Sequence, residues 1–358
     1  MAAAEDSPLF TPEEKLSGRK RERQTEVGAP PGKKLCSTTS HNFSIAYNKY
    51  KKLEKVGAGS YGSVYKAVNK STGELVAIKE QKVQQYEDFP INVLREVQIL
   101  RRLDHTNIVK LHEVVQTKND ELVLVLEFCH SSLYDLLRSN EQKLAISEMK
   151  YISLQLLEAI TYMHDRGVLH RDLATKNVLI NYSGEIKVCD FGISRLAFAF
   201  DAEFGLVSSS CLEDPNTIVT LPYRAIELLL GESCYGSPLD VWSIACIIGE
   251  MLLYQIDKRQ PFFAGRDETS MVKEILRTLG HEQGGEIAYI KHFFKYGEGR
   301  RVHADYNIAD QFYDLLGSLF RLSPTRRLQA ANACKHSWFT EKPAPKWQWQ
   351  PTHLTRSQ

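Results

Sequence analysis

The sequence predicts an α+β fold of two lobes, a strand-rich first part followed by a helical second part. Between Tyr50 and Phe128 short apolar runs alternate with glycine turns, the mark of hairpins. From Met149 onward apolar residues recur at helical spacing instead. No segment repeats, so the two regimes read as two halves of one unit with a cleft between them. A chain of 358 residues has ample core for one large two-lobed domain or two modest ones.

In chain order, Tyr50–Val56, Ser63–Val68 and Leu75–Lys79 read as strands, separated by glycine turns at Gly57–Gly62 and Gly73. Ile91–Leu103 has apolar residues at 91, 94, 97, 100 and 103, one face of a helix. Leu122–Phe128 is an almost unbroken apolar run of strand length. Met149, Ile152, Leu156, Ile160 and Met163 then form a helical stripe that stops at Gly167. Further helices are predicted over Asp240–Tyr254, Thr269–Leu279, Asp310–Phe320 and Gln329–Lys335.

Hydrophobic content of 43% and charged content of 25% are those of a soluble globular protein. A net charge of +1 gives no general attraction to nucleic acid or membrane. The seven cysteines form no CxxC pair, which argues against zinc and a disulfide framework and for a reducing compartment. Met1 to Phe10 carries Glu5 and Asp6 and no apolar core, so no signal peptide is expected. Val241 to Tyr254 is too short to span a bilayer and carries Glu250, so a buried helix is expected there. Residues 1–48 are rich in Ser, Pro, Gly, Lys and Glu and are expected to be disordered. Within them Arg19-Lys20-Arg21-Glu22-Arg23 and Lys33-Lys34 read either as a two-part nuclear import signal or as an ordinary solvated tail. The expected location is nuclear or cytoplasmic, the basic clusters favouring the nucleus.

Gly57-Ala58-Gly59-Ser60-Tyr61-Gly62-Ser63-Val64 fits G-x-G-x-x-G-x-V, in which a glycine hairpin lets backbone N–H groups approach phosphates. Alone it also fits a tight β-turn. A strand rather than a helix follows, which counts against a dinucleotide fold. In Val76-Ala77-Ile78-Lys79, strand alternation points Ala77 and Lys79 to one face, towards a semi-buried cleft. A buried lysine needs an anion. Glu96 is the candidate, since Val93, Ile99 and Leu100 share its helical face. The alternative is a surface lysine and a snorkelling glutamate. His170-Arg171-Asp172-Leu173-Ala174-Thr175-Lys176-Asn177 follows a helix end, and Asp190-Phe191-Gly192 follows the apolar run Ile186–Cys189. Asp172 can accept the proton of a substrate hydroxyl, while Asn177 and Asp190 can hold Mg²⁺ through oxygen.

Taken in order, and with Ala225-Ile226-Glu227 after them, these motifs resemble the signature set of protein kinases, with Ile226 where proline is usual. The resemblance covers Tyr50 to about Phe339. It implies a two-lobed protein kinase fold, with an N-lobe over 49–128, a C-lobe over 129–340 and a short tail over 341–358. It also implies transfer of the γ-phosphoryl group of ATP, with Mg²⁺, to a protein hydroxyl. Pro90-Ile91-Asn92-Val93-Leu94-Arg95-Glu96 is similar to the signature helix of cyclin-dependent kinases, in the branch with a Pro-Ile-x-x-Leu-Arg-Glu version. Val219-Thr220-Leu221-Pro222-Tyr223-Arg224 resembles that family's V-T-L-W-Y-R, and Asp240-Val241-Trp242-Ser243 and Arg327 also match. This implies a cyclin partner, Ser/Thr-Pro protein substrates, and substrate contacts from Val219, Thr220 and Arg224.

By the same resemblance Val56, Gly57, Ala58, Gly59, Gly62, Val64, Ala77, Lys79 and Leu179 surround the nucleotide. Adenine would bond the backbone of Glu127 and Cys129, with Leu126 guarding the back pocket and Cys189 lining the cleft as a small buried residue. Ser60 and Tyr61 match an inhibitory phosphorylation pair. Arg95, Arg171 and Arg195 match the arginines that hold an activating phosphate, but Pro215 stands at its usual position. The anion is then expected from Thr217, from Ser208–Ser210, or from Glu213 and Asp214. The segment between Asp190 and Glu227 is also longer than the family's, the extra length falling in Leu196–Leu212. Ala174 replaces the family's γ-phosphate lysine, and Lys176 is the expected substitute. The competing reading is a catalytically weak pseudokinase scaffold, kept alive by Ala174 and Ile226. The presence of Lys79, Glu96, Asp172, Asn177 and Asp190 argues against it. Tyrosine specificity is a third reading, and Thr220 argues against that one.

Overall fold

The computed structural model describes residues 48–59, 62–81, 91–116, 122–139, 143–196, 206–208, 219–232, 234–255, 261–280, 285–296 and 309–348. All belong to one folded unit, Ser40–Gln358. The expectations for residues 1–47, Ser60, Tyr61, Pro90 and 209–218, Thr217 included, lie outside the described residues.

Five antiparallel strands open the fold: β1 (Tyr50–Gly59), β2 (Gly62–Asn69), β3 (Leu75–Gln81), β4 (Leu111–Gln116) and β5 (Leu122–Glu127), in the order β1-β2-β3-β5-β4. The side-chain period of two divides their residues between two cores. Val76 and Ile78 of β3 join Val123 and Val125 of β5 in a small cluster with Tyr50, Ala67 and Val115. The alternate residues, Leu124 and Leu126, pack instead with Val93, Ile99 and Leu100 of helix α1 (Ile91–Leu100) and the main core. The helix is shorter than predicted. Its last turn tightens, with Arg102 N–H donating to the Ile99 carbonyl at 2.9 Å and Leu103 N–H to Leu100 at 3.3 Å.

After β5 come β6 (Ser131–Ser132), α2 (Leu133–Arg138), α3 (Ile146–His164), β7 (Val168–Leu169), β8 (Val178–Ile180), β9 (Ile186–Val188) and β10 (Arg195–Leu196). The predicted stripe of α3 is fully buried at every position from Met149 to Met163 that was named. Next are β11 (Leu206–Ser208), α4 (Ile226–Leu229), β12 (Cys234–Gly236) and α5 (Pro238–Gln255). Helix α5 is buried on all sides, as its continuous apolar run predicts. Among the described residues no helix is long and apolar enough to cross a membrane. The fold closes with α6 (Glu268–Leu279), α7 (Glu286–Tyr296), α8 (Asp310–Leu319), α9 (Ala330–Ala333) and α10 (Ser337–Thr340). The helix predicted over Gln329–Lys335 is one turn, because the chain bends at Lys335 and His336 and His336 caps α10.

Residues 341–348, a tail by sequence, lie along the start of α3. Lys346 N–H donates to the Ser147 carbonyl at 3.0 Å, and Trp347 Nε1 to the Tyr182 carbonyl at 2.9 Å. The Trp347 ring sits where a side chain at Gly184 would be, 2.2 Å from the place of a Cβ, and Gly184 has φ +78°. Only glycine fits both conditions.

Candidate active site

Register assembles the upper wall of the cleft. Val64 stands opposite Lys79, and Ala77 opposite Leu126, so all four share one face of the sheet. Gly57, Ala58 and Gly59 pair with Val64, Ser63 and Gly62, which makes the glycine-rich segment the tip of the β1–β2 hairpin. Val56 beside it is 49% exposed, an apolar surface without cover. Glu127 ends β5, Cys129 follows it outside any strand, and Leu179 lies half-buried in β8. Burial pushes the Cys129 thiol up to about 12 and the Cys189 thiol well above its ordinary value, so both stay neutral.

Lys79 Nζ lies 2.8 and 2.9 Å from the two oxygens of Glu96 and 2.8 Å from Asp190 Oδ1. Its side chain is 12% exposed, which sets aside the surface-lysine alternative. Burial would push the ammonium down, but the charges of Glu96 and Asp190 outweigh it and hold it above the usual lysine value. Burial pushes the Glu96 carboxyl up against the pull of Lys79. Burial also opposes ionisation of Asp190, yet Lys79, with a smaller contribution from Lys176, holds that carboxyl below its ordinary range.

Asp172 is gripped on both oxygens. Oδ1 accepts from the Thr220 N–H at 3.0 Å and the Thr220 hydroxyl at 2.7 Å. Oδ2 accepts from Asn177 Nδ2 at 3.0 Å, and the same amide donates to the Asp172 carbonyl at 2.7 Å. With both amide hydrogens committed, Asn177 Oδ1 remains an acceptor. Asn177 and Asp190 thus offer the hard oxygens that Mg²⁺ prefers. Among the described residues no group of three or more His, Cys, Asp or Glu could hold a metal unaided.

Backbone strain gathers at this site. Arg171, Asp190 and Val219 all have φ 67°, costly for a side-chain-bearing residue and most of all for β-branched Val219. The surroundings hold each bend. Asp240, at the start of α5, accepts from the His170 N–H at 3.0 Å and the Arg171 N–H at 2.9 Å. Arg224 donates to the Val219 carbonyl from Nε at 3.3 Å and Nη2 at 3.0 Å. His170 accepts at Nδ1 from Asp172 N–H and so donates from Nε2 to the Cys189 carbonyl, 3.0 Å away, beside fully buried Phe191.

The three predicted arginines come from three separate segments. α1, which carries Arg95, packs against β10, which carries Arg195. Arg171 is 2% exposed and donates from Nε to the Ile193 carbonyl at 2.8 Å and from Nη1 to the Tyr235 hydroxyl at 2.6 Å. Tyr235 sits in β12, opposite Val207 of β11, so part of the extra length pairs with the strand that holds it. Tyr235 and the anchoring role of Asp240 were not legible in sequence. Asp240 stood out in sequence only as part of the Asp240-Val241-Trp242-Ser243 match, which names no partner for it. Glu227 pairs with buried Arg327 at 2.7 and 2.9 Å, so Ile226 in place of proline leaves that ion pair intact.

A family described as "Protein kinase domain" matches residues 50–339. Relatives include Cyclin-dependent kinase G-2 of Oryza sativa, 36% identical over 316 residues, which are 84% of this chain and 42% of that protein. CTD kinase subunit alpha of Schizosaccharomyces pombe is 33% identical over 353 residues, 91% of this chain and 57% of the relative. Serine/threonine-protein kinase ppk23 of the same yeast is 37% identical over 331 residues, 89% and 77% of the two chains. The chain spans about two fifths of the length of the rice relative. With the motifs brought together in one cleft and this match along most of its length, the chain belongs to the protein kinase family, among the cyclin-dependent serine/threonine kinases.

Proposed function

We propose that the chain transfers the γ-phosphoryl group of ATP to Ser or Thr followed by Pro in protein substrates, under control of a cyclin. The observation that carries this reading is the simultaneous presence of the Lys79–Glu96–Asp190 ion pairs and of Asp172 held by Thr220 and Asn177. In this reading Lys79, itself held by Glu96, positions the nucleotide phosphates. Asp172, aimed by Thr220, accepts the proton of the attacking hydroxyl. Asn177 and Asp190 would hold Mg²⁺, which would supply positive charge to offset that of the phosphates. The complete set weighs against a non-catalytic scaffold.

The preference for proline follows from Val219. Its carbonyl is occupied by Arg224, so it cannot accept from the N–H of the substrate residue after the target. Proline has no N–H to leave unsatisfied, whereas other residues would lose a hydrogen bond. Cyclin control is supported by the names of the relatives and by Leu94, 45% exposed on α1 while Glu96 of the same helix is 1% exposed. A partner covering the outer face of α1 would fix the Lys79–Glu96 pair from behind. Phosphate on Ser60 or Tyr61 would repel nucleotide phosphates, and an anion from Thr217, from Ser208–Ser210, or from Glu213 and Asp214 would be held by Arg95, Arg171 and Arg195. The basic clusters at Arg19–Arg23 and Lys33–Lys34 would direct the protein to the nucleus.

The test is phosphoryl transfer by the purified full chain, with and without cyclin, to paired Ser-Pro and Ser-Ala peptides. Transfer only with cyclin and mainly to Ser-Pro is expected. Equal use of both peptides would reject proline direction, and full activity of the chain alone would reject cyclin control. No transfer under any condition would reject the kinase reading.

A further inference from the structure

Beneath the Asp172–Asn177 loop, three elements meet through buried side chains. Thr175 Oγ1 lies 2.9 Å from the Tyr223 hydroxyl, which donates to Glu250 Oε2 at 2.5 Å. Thr175 Oγ1 is also 3.5 Å from Glu250 Oε1. Thr175 is 0% exposed, Tyr223 6% and Glu250 1%. The Tyr223 proton goes to the carboxylate, so the Thr175 hydroxyl is the donor towards both the Tyr223 oxygen and Glu250 Oε1.

These residues adjoin the two segments that hold Asp172. Tyr223 closes the turn Leu221–Tyr223 that follows Thr220, and its N–H donates to the Thr220 carbonyl at 2.9 Å. Thr175 opens the turn Thr175–Asn177, which contains Lys176. On the cleft side the segments are tied through Asp172, by Thr220 and Asn177. On the core side they are tied, among the described residues, where Thr175, Tyr223 and Glu250 meet. One tie is a pivot, and two make a rigid frame anchored on α5, the helix whose Asp240 also holds the loop backbone. A buried carboxylate is poor packing material, and a hydrophobic residue of similar volume is often as stable or more so. That makes a stability role alone a weak account of Glu250.

We propose that Thr175, Tyr223 and Glu250 are positioning residues that set Lys176 and Asp172 against each other for transfer. The inference rests on the kinase reading above. It predicts that losing the core-side tie slows the chemical step and leaves nucleotide binding and the fold alone.

The test measures kcat, the KM for ATP and Tm for the full chain with cyclin, as parent, Thr175→Val, Thr175→Ser and Tyr223→Phe. Each change is repeated in a Lys176→Ala background. Thr175→Val and Tyr223→Phe are expected to lose about tenfold in kcat with the KM for ATP unchanged. Thr175→Ser, which keeps the hydroxyl, should restore most of it. With Lys176→Ala the further loss from Thr175→Val should shrink to about twofold, because the two act on one placement. Unchanged kcat in Thr175→Val and Tyr223→Phe would overturn the inference. So would a loss that follows Tm and is not recovered by serine, or full additivity with Lys176→Ala. A parent without phosphoryl transfer would overturn the kinase reading itself, and this inference with it.

Discussion

Lys79 holds two carboxylates at once, and they differ in what they need from it. Glu96 is 1% exposed, whereas the Asp190 side chain is 38% exposed. Lys79→Met and Asp190→Asn should each cut turnover by orders of magnitude. Only Lys79→Met should also lower Tm clearly, because it leaves Glu96 buried without a cation. Equal Tm in the two variants would contradict that difference, and near-parent turnover in either would contradict the site. Lys176 is exposed, and its charge is among those that hold Asp190 ionised. A cation about 4 Å from a phosphate oxygen is worth on the order of 4 kcal/mol at an effective dielectric near 20. Lys176→Ala should therefore lose at least about tenfold in kcat. A silent Lys176→Ala would end the idea that it replaces the lysine absent at position 174. Ala174 is 1% exposed in the main core, so Ala174→Lys must route its chain out of a packed site to compensate.

At the scale of elements, α5 carries a titration that the fold's stability should report. Burial raises the Glu250 carboxyl from 4.5 to about 7, against the pull of Tyr223, Arg138 and Thr175. Tyr254 and Cys246 face it from its own helix and feel its charge. A carboxyl raised by folding binds more protons in the native state between those two values. Stability should therefore fall as pH rises from about 4.5 to about 7 and be flat above. The shift corresponds to roughly 3 kcal/mol. Thermal unfolding followed across that window should show the decline in the parent and a weaker one in Glu250→Gln. Parallel profiles would place the titration elsewhere.

On the scale of the whole molecule, the last described residues brace the C-lobe. Besides Trp347, Gln348 N–H donates to Glu148 Oε1 at 3.1 Å, and Lys150 Nζ donates to the Glu341 carbonyl at 2.8 Å. Glu148 in turn accepts from the Ala145 N–H at the start of α3, so the tail reaches the cap of the longest C-lobe helix. Trp347→Ala should cost about 3 kcal/mol and lower Tm by several degrees. An unchanged Tm would mean that the docked tail adds nothing to stability.

The sequence by itself determined the first three strands, the strand over Leu122–Glu127 and the long core helices, because the periods of two and 3.6 are local geometry. It also named Glu96 as the candidate partner of Lys79, since Glu96 shares a helical face with Val93, Ile99 and Leu100 and strand alternation turns Lys79 inward, and the structure decided between that pair and a surface lysine. The kinase motifs were legible because each is a short run whose members act together. What only the tertiary structure decided are partnerships across distant segments: Asp240 with the Arg171 backbone, Tyr235 with the Arg171 guanidinium, Thr175 with Tyr223 and Glu250, and Trp347 over Gly184. Hydrogen bonds are directional and short-ranged. Such pairs are therefore fixed by how helices and loops pack, and no local pattern of residues announces them.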